Sequence, residues 1–438
     1  MTRTGGNRGW AAHALSGAGR ATGFALAAAI MCLLFMATAV AQGQGYSVLY
    51  TFTGGADGDH PDSALIADST GNLYGTTEAG GDLSGICSTI QGCGVVFEAE
   101  PAGNETVLHT FTGGVDGAAP LGALLRNSAG ALFGTAEEGG NLSGVCAPLG
   151  CGVAFRLEPD GNEIVLHAFT GGSDGAAPVG NLFRDSTNNL YGATFKGGMY
   201  SGVCSQVGCG VVFKLDQTGN ETVLYSFTGG TDGAFPTGGL IQDSAGNLYG
   251  TTLEGGSSGD SCGGSGCGVV FKLDSAGNET VLYSFTGQAD GGSPTGGLVI
   301  DAAGNLYGTA SEGGSFGGSC GEVGCGVVFQ VDSAGAETVL YAFSGGNDGS
   351  GPSAALVRDP AGNLYGVTAY GGSHGYGVVF KLSPAGTESL LHRFSGGSDG
   401  AYPATALLLY KDHLYGTTFD GGLDGLDGYG LVFELGPQ

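Results

Sequence analysis

The chain has 438 residues, of which 93 are glycine, and its 40 acidic residues outnumber 13 basic ones to give a net charge of −27. That balance argues against nucleic-acid binding, which needs clustered lysine and arginine to displace counterions from phosphate, and against adsorption to anionic lipid. Collagen and disordered chains are also glycine-rich, but 41% of the residues here are hydrophobic and no Gly-X-Y period is present. The composition therefore predicts a repetitive, all-β globular protein.

The first 41 residues have the features of a secretory signal peptide. Three arginines precede an apolar run from Phe24 to about Ala37, and the small-x-small sequence Ala39–Ala41 follows it. Cleavage before Gln42 would leave one domain, residues 42–438, secreted, periplasmic or at the cell surface, with no membrane insertion. The alternative is an uncleaved anchor, for which the run is short, since a spanning helix needs about 20 apolar residues.

Ten cysteines remain after this segment and fall into close pairs. An even number of paired cysteines on an exported chain is typical of local disulfides. Zinc is the alternative, but each pair offers two ligands where a structural zinc site takes four. We therefore predict five disulfides, Cys87–Cys93, Cys146–Cys151, Cys204–Cys209, Cys262–Cys267 and Cys320–Cys325.

The strongest signal is internal repetition with a period of about 58 residues. Three markers, F-[TS]-G, L-[YF]-G and G-V-V-F or a close variant, each occur seven times. The phenylalanine of the first marker is Phe52, Phe111, Phe169, Phe227, Phe285, Phe343 and Phe394.

Each repeat contains four short β-prone runs separated by turn-forming residues. In the fourth repeat these runs are Glu221–Phe227, Gly239–Gln242, Asn247–Thr252 and Gly268–Leu273. Four antiparallel strands per unit and seven units predict a seven-bladed β-propeller with inner to outer strands A, B, C and D.

The two ends of the chain complement each other. The first strand, Tyr46–Phe52, has the sequence of an outer strand D without its blade, whereas the last repeat supplies strands A to C at Ala404–Leu409, His413–Thr418 and Gly430–Leu435. Pairing the first strand with the last blade would close the ring and remove two exposed sheet edges. An open β-solenoid is the alternative, although solenoids carry atypical capping repeats.

The runs G-N-L-Y-G-T-T (Gly246–Thr252) and G-C-G-V-V-F-K-L (Gly208–Leu215, Gly266–Leu273) resemble the bacterial "GloVer" tandem repeats of choice-of-anchor surface proteins. The resemblance covers essentially all of residues 46–435. It implies an exported repeat protein with propeller-like repeats, and it brings no activity and no catalytic residues.

An Asp-Gly pair follows every outer strand and is the most regular polar feature. Seven carboxylates would ring one face of the propeller, where they could gather a ligand or bind calcium, since hard cations prefer clustered oxygens. The alternative is a turn in which each aspartate binds its own backbone. The residues are Asp57, Asp116, Asp174, Asp232, Asp290, Asp348 and Asp399.

Repeats six and seven lack the cysteine pair, so no disulfide closes their loops between strands B and C. We hypothesise that these two loops form a partner-binding sector with aromatic contacts. Its candidate residues are His374, Tyr376, Tyr402 and Tyr429, together with Tyr370. The alternative is that both repeats are merely degenerate.

No nucleophile elbow, zinc-protease motif or phosphate-binding loop is present, so no catalytic residue or cofactor is predicted. We expect an exported, non-catalytic module that binds a protein or polysaccharide. The alternatives are a carbohydrate-active hydrolase or lyase with a calcium or carboxylate site on the Asp-rich face, and a structural coat protein.

Overall fold

In this computed structural model the described residues are 45–257, 262, 264–423 and 425–438. The predicted signal peptide lies outside them. Residues 44–438 form one compact unit. Seven antiparallel sheets arranged as the blades of a propeller confirm the predicted fold class.

The strands follow the repeat, with four per blade except where an inner strand is interrupted. Blades 1 and 2 contain β2 (Ile66–Ala67), β3 (Leu73–Thr77), β4 (Val95–Ala99), β5 (Glu105–Thr110), β6 (Leu125–Arg126), β7 (Leu132–Ala136), β8 (Val153–Leu157) and β9 (Glu163–Ala168). Blades 3 and 4 contain β10 (Ala176–Arg184), β11 (Leu190–Lys196), β12 (Val211–Leu215), β13 (Glu221–Ser226), β14 (Ala234–Pro236), β15 (Ile241–Gln242), β16 (Leu248–Glu254), β17 (Val269–Leu273) and β18 (Glu279–Ser284).

The remaining blades repeat the same order, and blade 7 takes its outer strand from the start of the chain. Blades 5 and 6 contain β19 (Val299–Ile300), β20 (Leu306–Ala310), β21 (Val327–Val331), β22 (Glu337–Ala342), β23 (Val357–Arg358), β24 (Leu364–Thr368), β25 (Val378–Leu382) and β26 (Glu388–Arg393). Blade 7 contains β27 (Leu408–Tyr410), β28 (His413–Thr418), β29 (Leu431–Leu435) and β1 (Tyr46–Thr51).

Short 3₁₀ turns are the helical elements of the described residues. They lie between strands B and C, at Gly85–Thr89, Gly144–Cys146, Gly202–Cys204, Gly318–Cys320 and Gly425–Asp427. No helix within the described residues has the length and apolar character needed to cross a membrane.

The ring closes as the sequence predicts. Strand β1 pairs antiparallel with β29, from Tyr46 opposite Leu435 to Thr51 opposite Leu431. The first strand thereby becomes the outer strand of the last blade, and the exposed edge that β29 would otherwise present is covered.

The conserved phenylalanines form the contacts between neighbouring blades. Phe227, at the end of β13, is fully buried and meets Phe271 of the next blade edge-to-face with ring centroids 5.2 Å apart. Gly250 of the L-Y-G motif leaves room for this ring, because a Cβ there would lie 2.7 Å from Phe271 Cζ. All three sequence markers therefore serve the same inter-blade packing, because Phe271 is the phenylalanine of G-V-V-F.

The inner strands differ from the prediction. The fourth was expected over Gly239–Gln242 but consists of two pieces, Ala234–Pro236 and Ile241–Gln242, and the last begins at Leu408 rather than at Ala404. Glycine, alanine, serine and threonine dominate the intervening segments, which face the central channel. Small residues suit that narrow space but have weak strand propensity, so the sheet pairing lapses there.

Candidate functional site

The antiparallel order of each blade divides its connections between two faces. Loops between strands B and C and turns between strand D and the next strand A lie at one end of the strands. We call this end the disulfide face. The A–B and C–D turns lie at the opposite end, which we call the turn face.

All five cysteine pairs form the predicted disulfides, with Cα atoms 5.0 to 5.4 Å apart. The carbonyl of the second cysteine also accepts a hydrogen bond from the next blade, as in Phe235 N–H to Cys209 O at 3.0 Å. The disulfide loops therefore stabilise contacts between blades as well as their own closure.

Tyr376 and Tyr429 occupy the place of the second cysteine in blades 6 and 7. Their carbonyls accept hydrogen bonds from Tyr402 N–H at 3.0 Å and from His60 N–H at 3.1 Å. Their half-buried rings lie directly over Gly396 and Gly54, where other blades place the disulfide sulfurs. These two tyrosines of the predicted partner sector thus replace disulfides in the packing.

The other residues of that sector lie closer to solvent. Tyr402 contacts both Tyr370 and Tyr376 edge-to-face, with centroid distances of 5.7 Å in each case. Tyr370 is 57% exposed, and His374 is exposed with Nδ1 3.0 Å from the hydroxyl of Ser373. Three of the predicted tyrosines therefore come together, while His374 stands at the tip of its loop.

Tyr370 lines a cleft of about 730 Å³ that extends from the disulfide loop of blade 5 across blade 6. The loop of blade 6 is short, so the cleft is open above that blade. Glu312 and Val323 contribute from blade 5, and Ser353 and Ala404 lie at its inner end. The cleft presents one aromatic ring, one carboxyl group and several hydroxyl groups to solvent.

The seven Asp-Gly aspartates are engaged by their own turns. Asp232 accepts from Thr228 N–H at 2.8 Å, from the Thr228 hydroxyl at 2.6 Å and from the Tyr225 hydroxyl at 3.0 Å. In the other six, the backbone N–H four residues earlier donates over 2.8 to 3.1 Å and the hydroxyl of the same residue also donates. This is the geometry of the turn interpretation.

A glutamate at the start of the outer strand lies near the aspartate of the preceding turn in six blades. Glu221 shows the pattern: burial and the charge of Asp174 raise its pKa to about 7, although His167 acts in the opposite direction. One carboxylate oxygen of each of these glutamates is buried without a hydrogen-bond partner. The six are Glu105, Glu163, Glu221, Glu279, Glu337 and Glu388.

Within the described residues, no three acidic, histidine or cysteine side chains are arranged to hold a metal ion. Calcium binding at the Asp-Gly turns stays a prediction. A site there would have to recruit backbone oxygens and water, or displace the hydrogen bonds that the turns already make.

The residue two positions after each Asp-Gly pair has an unusual backbone conformation. Six of the seven are not glycine, yet their φ values lie between 51° and 58°, in the left-handed region. These six are His60, Ala119, Ala177, Phe235, Ser293 and Tyr402. Five residue types occur at these six positions, with alanine twice, so the repeated backbone carries side chains that vary between blades.

The residue types at the end of strand B, in the two positions before the Gly-Gly pair, also differ from blade to blade. Glu78 of blade 1 donates its N–H to His60 O at 2.9 Å, and Phe419 of blade 7 stacks on the His60 ring with centroids 4.2 Å apart. Acidic residues predominate in blades 1 and 2, and aromatic residues in blades 6 and 7. We give the name mouth positions to two sets of residues: those in the two positions before the Gly-Gly pair, such as Glu78, and those two positions after the Asp-Gly pair, such as His60.

A single carboxyl group lines the central channel, which has a volume of about 120 Å³. It belongs to Asp62, and the other blades place leucine, valine, threonine, serine or alanine at the same point after the proline. Protein encloses Asp62 on nearly every side, although water still reaches it through the channel. Burial and the charge of Glu78 raise the pKa of Asp62 to about 7.

Glu78, whose charge acts on Asp62, belongs to a group of acidic residues around His60 at the mouth. Burial, reinforced by nearby carboxylates, raises the pKa of Glu78 and of Asp420, although His60 counteracts it in both. Asp59 is only 5% exposed, and His60 lies between it and Asp420 at 3.3 and 3.4 Å. The mouth is therefore rich in carboxylates that the protein neutralises only in part.

Exposed apolar side chains also concentrate on the disulfide face. Of the fourteen large hydrophobic residues that are exposed in the described chain, all but Val48 lie on this face. They recur at equivalent positions of the disulfide loops, as at Leu83, Leu142, Tyr200 and Phe316. Concentration of exposed apolar side chains on one face is a feature of surfaces that bind other molecules.

The mouth positions and Asp62 were missed by the sequence reasoning, which searched for known motifs and for residues that recur. Comparison of the seven repeats position by position would have found them. Residues that are the same in every blade maintain the fold, whereas the mouth positions share one backbone geometry but not one side chain.

Several solved structures are similar to this chain at low sequence identity. A gluconolactonase from Xanthomonas campestris is 14% identical with a TM-score of 0.40, covering 75% of this chain and 89% of that one. A luciferin-regenerating enzyme is 13% identical with a TM-score of 0.44, covering 90% and 95%. The extracellular domain of a putative one-component system from B. thetaiotaomicron is 12% identical with a TM-score of 0.48, covering 86% and 40%.

No curated protein matches the sequence. A family model, described as the Gloeobacter/Verrucomicrobia repeat, matches residues 33–201, 147–320 and 316–438, which together span every blade. The resemblance seen in the G-N-L-Y-G-T-T and G-V-V-F-K-L runs is thereby confirmed, and the chain belongs to the Gloeobacter/Verrucomicrobia repeat family.

Proposed function

We propose that this protein is an exported, non-catalytic binding module that engages a partner protein through its disulfide face. The five disulfides support an oxidising location outside the cytoplasm. The observation that carries the proposal is the concentration of exposed apolar side chains on one face. Val145 and Phe316, which are 71% and 48% exposed, show its extent across blades 2 and 5.

A protein partner is favoured over a polysaccharide by the type of these side chains. Valine and leucine gain most by burial against other apolar groups, at about 25 cal/mol per Å². Sugars offer little such surface beyond the flat faces that stack on aromatic rings. Tyr370 is suited to such stacking, whereas Leu83, Val145 and Val323 are aliphatic.

Site-specific photo-crosslinking in cells that produce the full chain tests this proposal. A photoreactive phenylalanine analogue is placed at Val145 or Phe316, and at Val48 as the control, since Val48 is exposed on the outer strand β1. We expect one protein to crosslink from both positions of the disulfide face and not from Val48. Crosslinks only to other copies of the chain, only to polysaccharide, or equally from Val48 would overturn the proposal.

A second candidate function, a carbohydrate-active hydrolase or lyase, is favoured by Asp62 and Glu78. An enclosed carboxyl group with a pKa near 7 can act as a general acid at neutral pH beside a second carboxylate. Release of reducing ends from a panel of bacterial and plant polysaccharides, abolished by Asp62→Asn, would establish this activity. Equal release of reducing ends by the wild type and by Asp62→Asn would exclude this second candidate function.

A further inference from the structure

We propose that the channel mouth binds the primary ammonium group of a lysine side chain, with Asp62 as its counter-ion. This inference rests on the proposed binding role of the disulfide face and names the group of the partner that enters the mouth. It is carried by an unpartnered carboxyl group in the channel, by the charges around it and by the dimensions of the channel.

Asp62 has no structural partner that explains its presence. Within the described residues its side chain makes no hydrogen bond and no ion pair. The carboxyl group of Asp62 lies in the channel, where its contact with water is reduced, and this reduced hydration raises its pKa. The fold does not require it, because blades 4 and 5 place Thr237 and Thr295 at the same point.

The basic side chains near the mouth already form ion pairs with acidic residues other than Asp62. Lys196 Nζ lies 3.6 Å from Glu137 Oε1, and the two ring nitrogens of His60 face Asp59 and Asp420. The carboxyl group of Glu78 has no hydrogen bond or ion pair within the described residues either. A cation entering the mouth would therefore meet two carboxyl groups that have no ion pair within the described residues, although His60 lowers the pKa of Glu78 in part.

The shape of the channel favours an alkyl ammonium ion over bulkier or harder cations. Ala64, Leu121 and the glycines of the inner strands leave about 120 Å³, which suits a narrow aliphatic stem. A lysine ammonium is compact and offers three donors, for which Asp62 and the hydroxyl oxygens of Thr237 and Thr405 are acceptors along the wall. The planar guanidinium of arginine is wider, and calcium requires six to eight oxygen ligands.

Fluorescence anisotropy at physiological ionic strength tests the inference directly. The probe is a labelled peptide with one lysine flanked by leucines, and its partner probe carries acetyl-lysine at the same position. We expect the wild-type protein to bind the lysine peptide at least about tenfold more tightly than the acetylated peptide. Asp62→Thr, which introduces the residue of blades 4 and 5, is expected to remove that difference.

Glu322→Gln is the matched control, because it removes one exposed acidic group from the same face. We expect it to change binding by less than about twofold. Asp62→Asn serves as a second variant, and the thermal midpoints of all three report whether each one folds.

Equal binding of the two peptides by the wild type would overturn the inference, as would equal losses in Asp62→Thr and Glu322→Gln. Displacement of the lysine peptide by millimolar calcium would identify a metal site instead. If crosslinking from Val145 finds a partner but the lysine peptide fails to bind, this inference falls while the proposed function stands.

Discussion

The two faces of the propeller differ in how completely their charged groups are paired. On the turn face, six lysine and arginine side chains stack over the aromatic ring of the L-[YF]-G motif, as Lys272 does over Tyr249 at 5.8 Å. The same tyrosine donates to Asp243 at 2.9 Å. On the disulfide face, Asp62 and Glu78 have no such partners within the described residues.

This difference separates residues that maintain the fold from residues that are available to a partner. Burial raises the pKa of Asp243, but the hydrogen bonds from Asn247, Tyr249 and the turn backbone together outweigh it and hold this pKa below its usual value. Its charge is satisfied within the blade, and the same arrangement recurs around Asp185, Asp301 and Asp359. Besides the paired Asp-Gly aspartates, the disulfide face has carboxyl groups without an ion pair in the described residues, such as Asp62, and it carries exposed apolar groups.

The largest effect is expected from a position that is the same in every blade. Phe271→Ala removes a buried ring that packs against Phe227 of the neighbouring blade. We expect a loss of about 3–5 kcal/mol in the free energy of unfolding, measured by urea denaturation followed by circular dichroism. Val203→Ala, on the exposed disulfide face, should stay within about 0.5 kcal/mol. Similar losses in both variants would contradict the separation of the two classes of residue.

The six glutamates at the starts of outer strands predict a pH dependence of stability. Glu221 has an unfolded pKa near 4.5 and a folded pKa of about 7, so the folded state takes up protons. The stabilisation from protonation is fully present below pH 4.5 and is lost as the pH rises through about 7. His109 and His392 oppose this trend, because burial lowers their pKa values, but they are fewer.

We therefore expect the thermal midpoint to fall by several degrees between mildly acidic and mildly alkaline buffer. Replacement of one glutamate, Glu221→Gln, should remove less than about one sixth of the dependence if the sites act independently, because Asp62, Glu78 and Asp420 also have raised pKa values. Scanning calorimetry across this pH range measures both effects. A midpoint that rises over the same interval would show that the histidines dominate.

The sequence alone predicted the parts of the molecule that repeat. Seven copies of F-[TS]-G and the unmatched strand Tyr46–Phe52 were sufficient to predict the number of blades and the ring closure, because strand pairing follows from the order of the runs. The cysteine spacing was sufficient to predict the five disulfides. The equivalence of Tyr376 and Tyr429 to a cysteine is visible in the sequence, because each directly precedes the third marker, but their packing over Gly396 and Gly54 is a property of the folded chain.

Asp62 shows why the rest of the site escaped prediction. In the sequence it is one acidic residue among 40 and belongs to no motif. Its significance depends on the narrow channel around it and on the lack of a hydrogen-bond partner, which are both properties of the folded chain. Isolated polar residues acquire chemical meaning from their surroundings, which sequence periodicity does not describe.

A smaller difference in stability is expected between substitutions of two tyrosines in the predicted partner-binding sector. Tyr376 is half-buried over Gly396, whereas Tyr370 is 57% exposed beside the cleft. Tyr376→Ala should lower the free energy of unfolding by about 1–2 kcal/mol, because it removes packing that a disulfide provides elsewhere. Tyr370→Ala should stay within about 0.5 kcal/mol. Urea denaturation of the two variants compares them, and equal values would show that Tyr376 does not substitute for a disulfide.

The smallest effect is expected from calcium. Each Asp-Gly carboxylate already accepts hydrogen bonds from its own turn, as Asp232 does from Thr228 and Tyr225, and a metal ion would have to displace them. We therefore expect the thermal midpoint of residues 42–438 to be the same in calcium and in chelator. An upward shift in calcium that Asp232→Asn reduces would show that the ring binds metal, because ligands that bind only the folded state raise its stability. A shift that Asp62→Thr removes instead would place the metal at the channel mouth and leave the turns with a purely structural role.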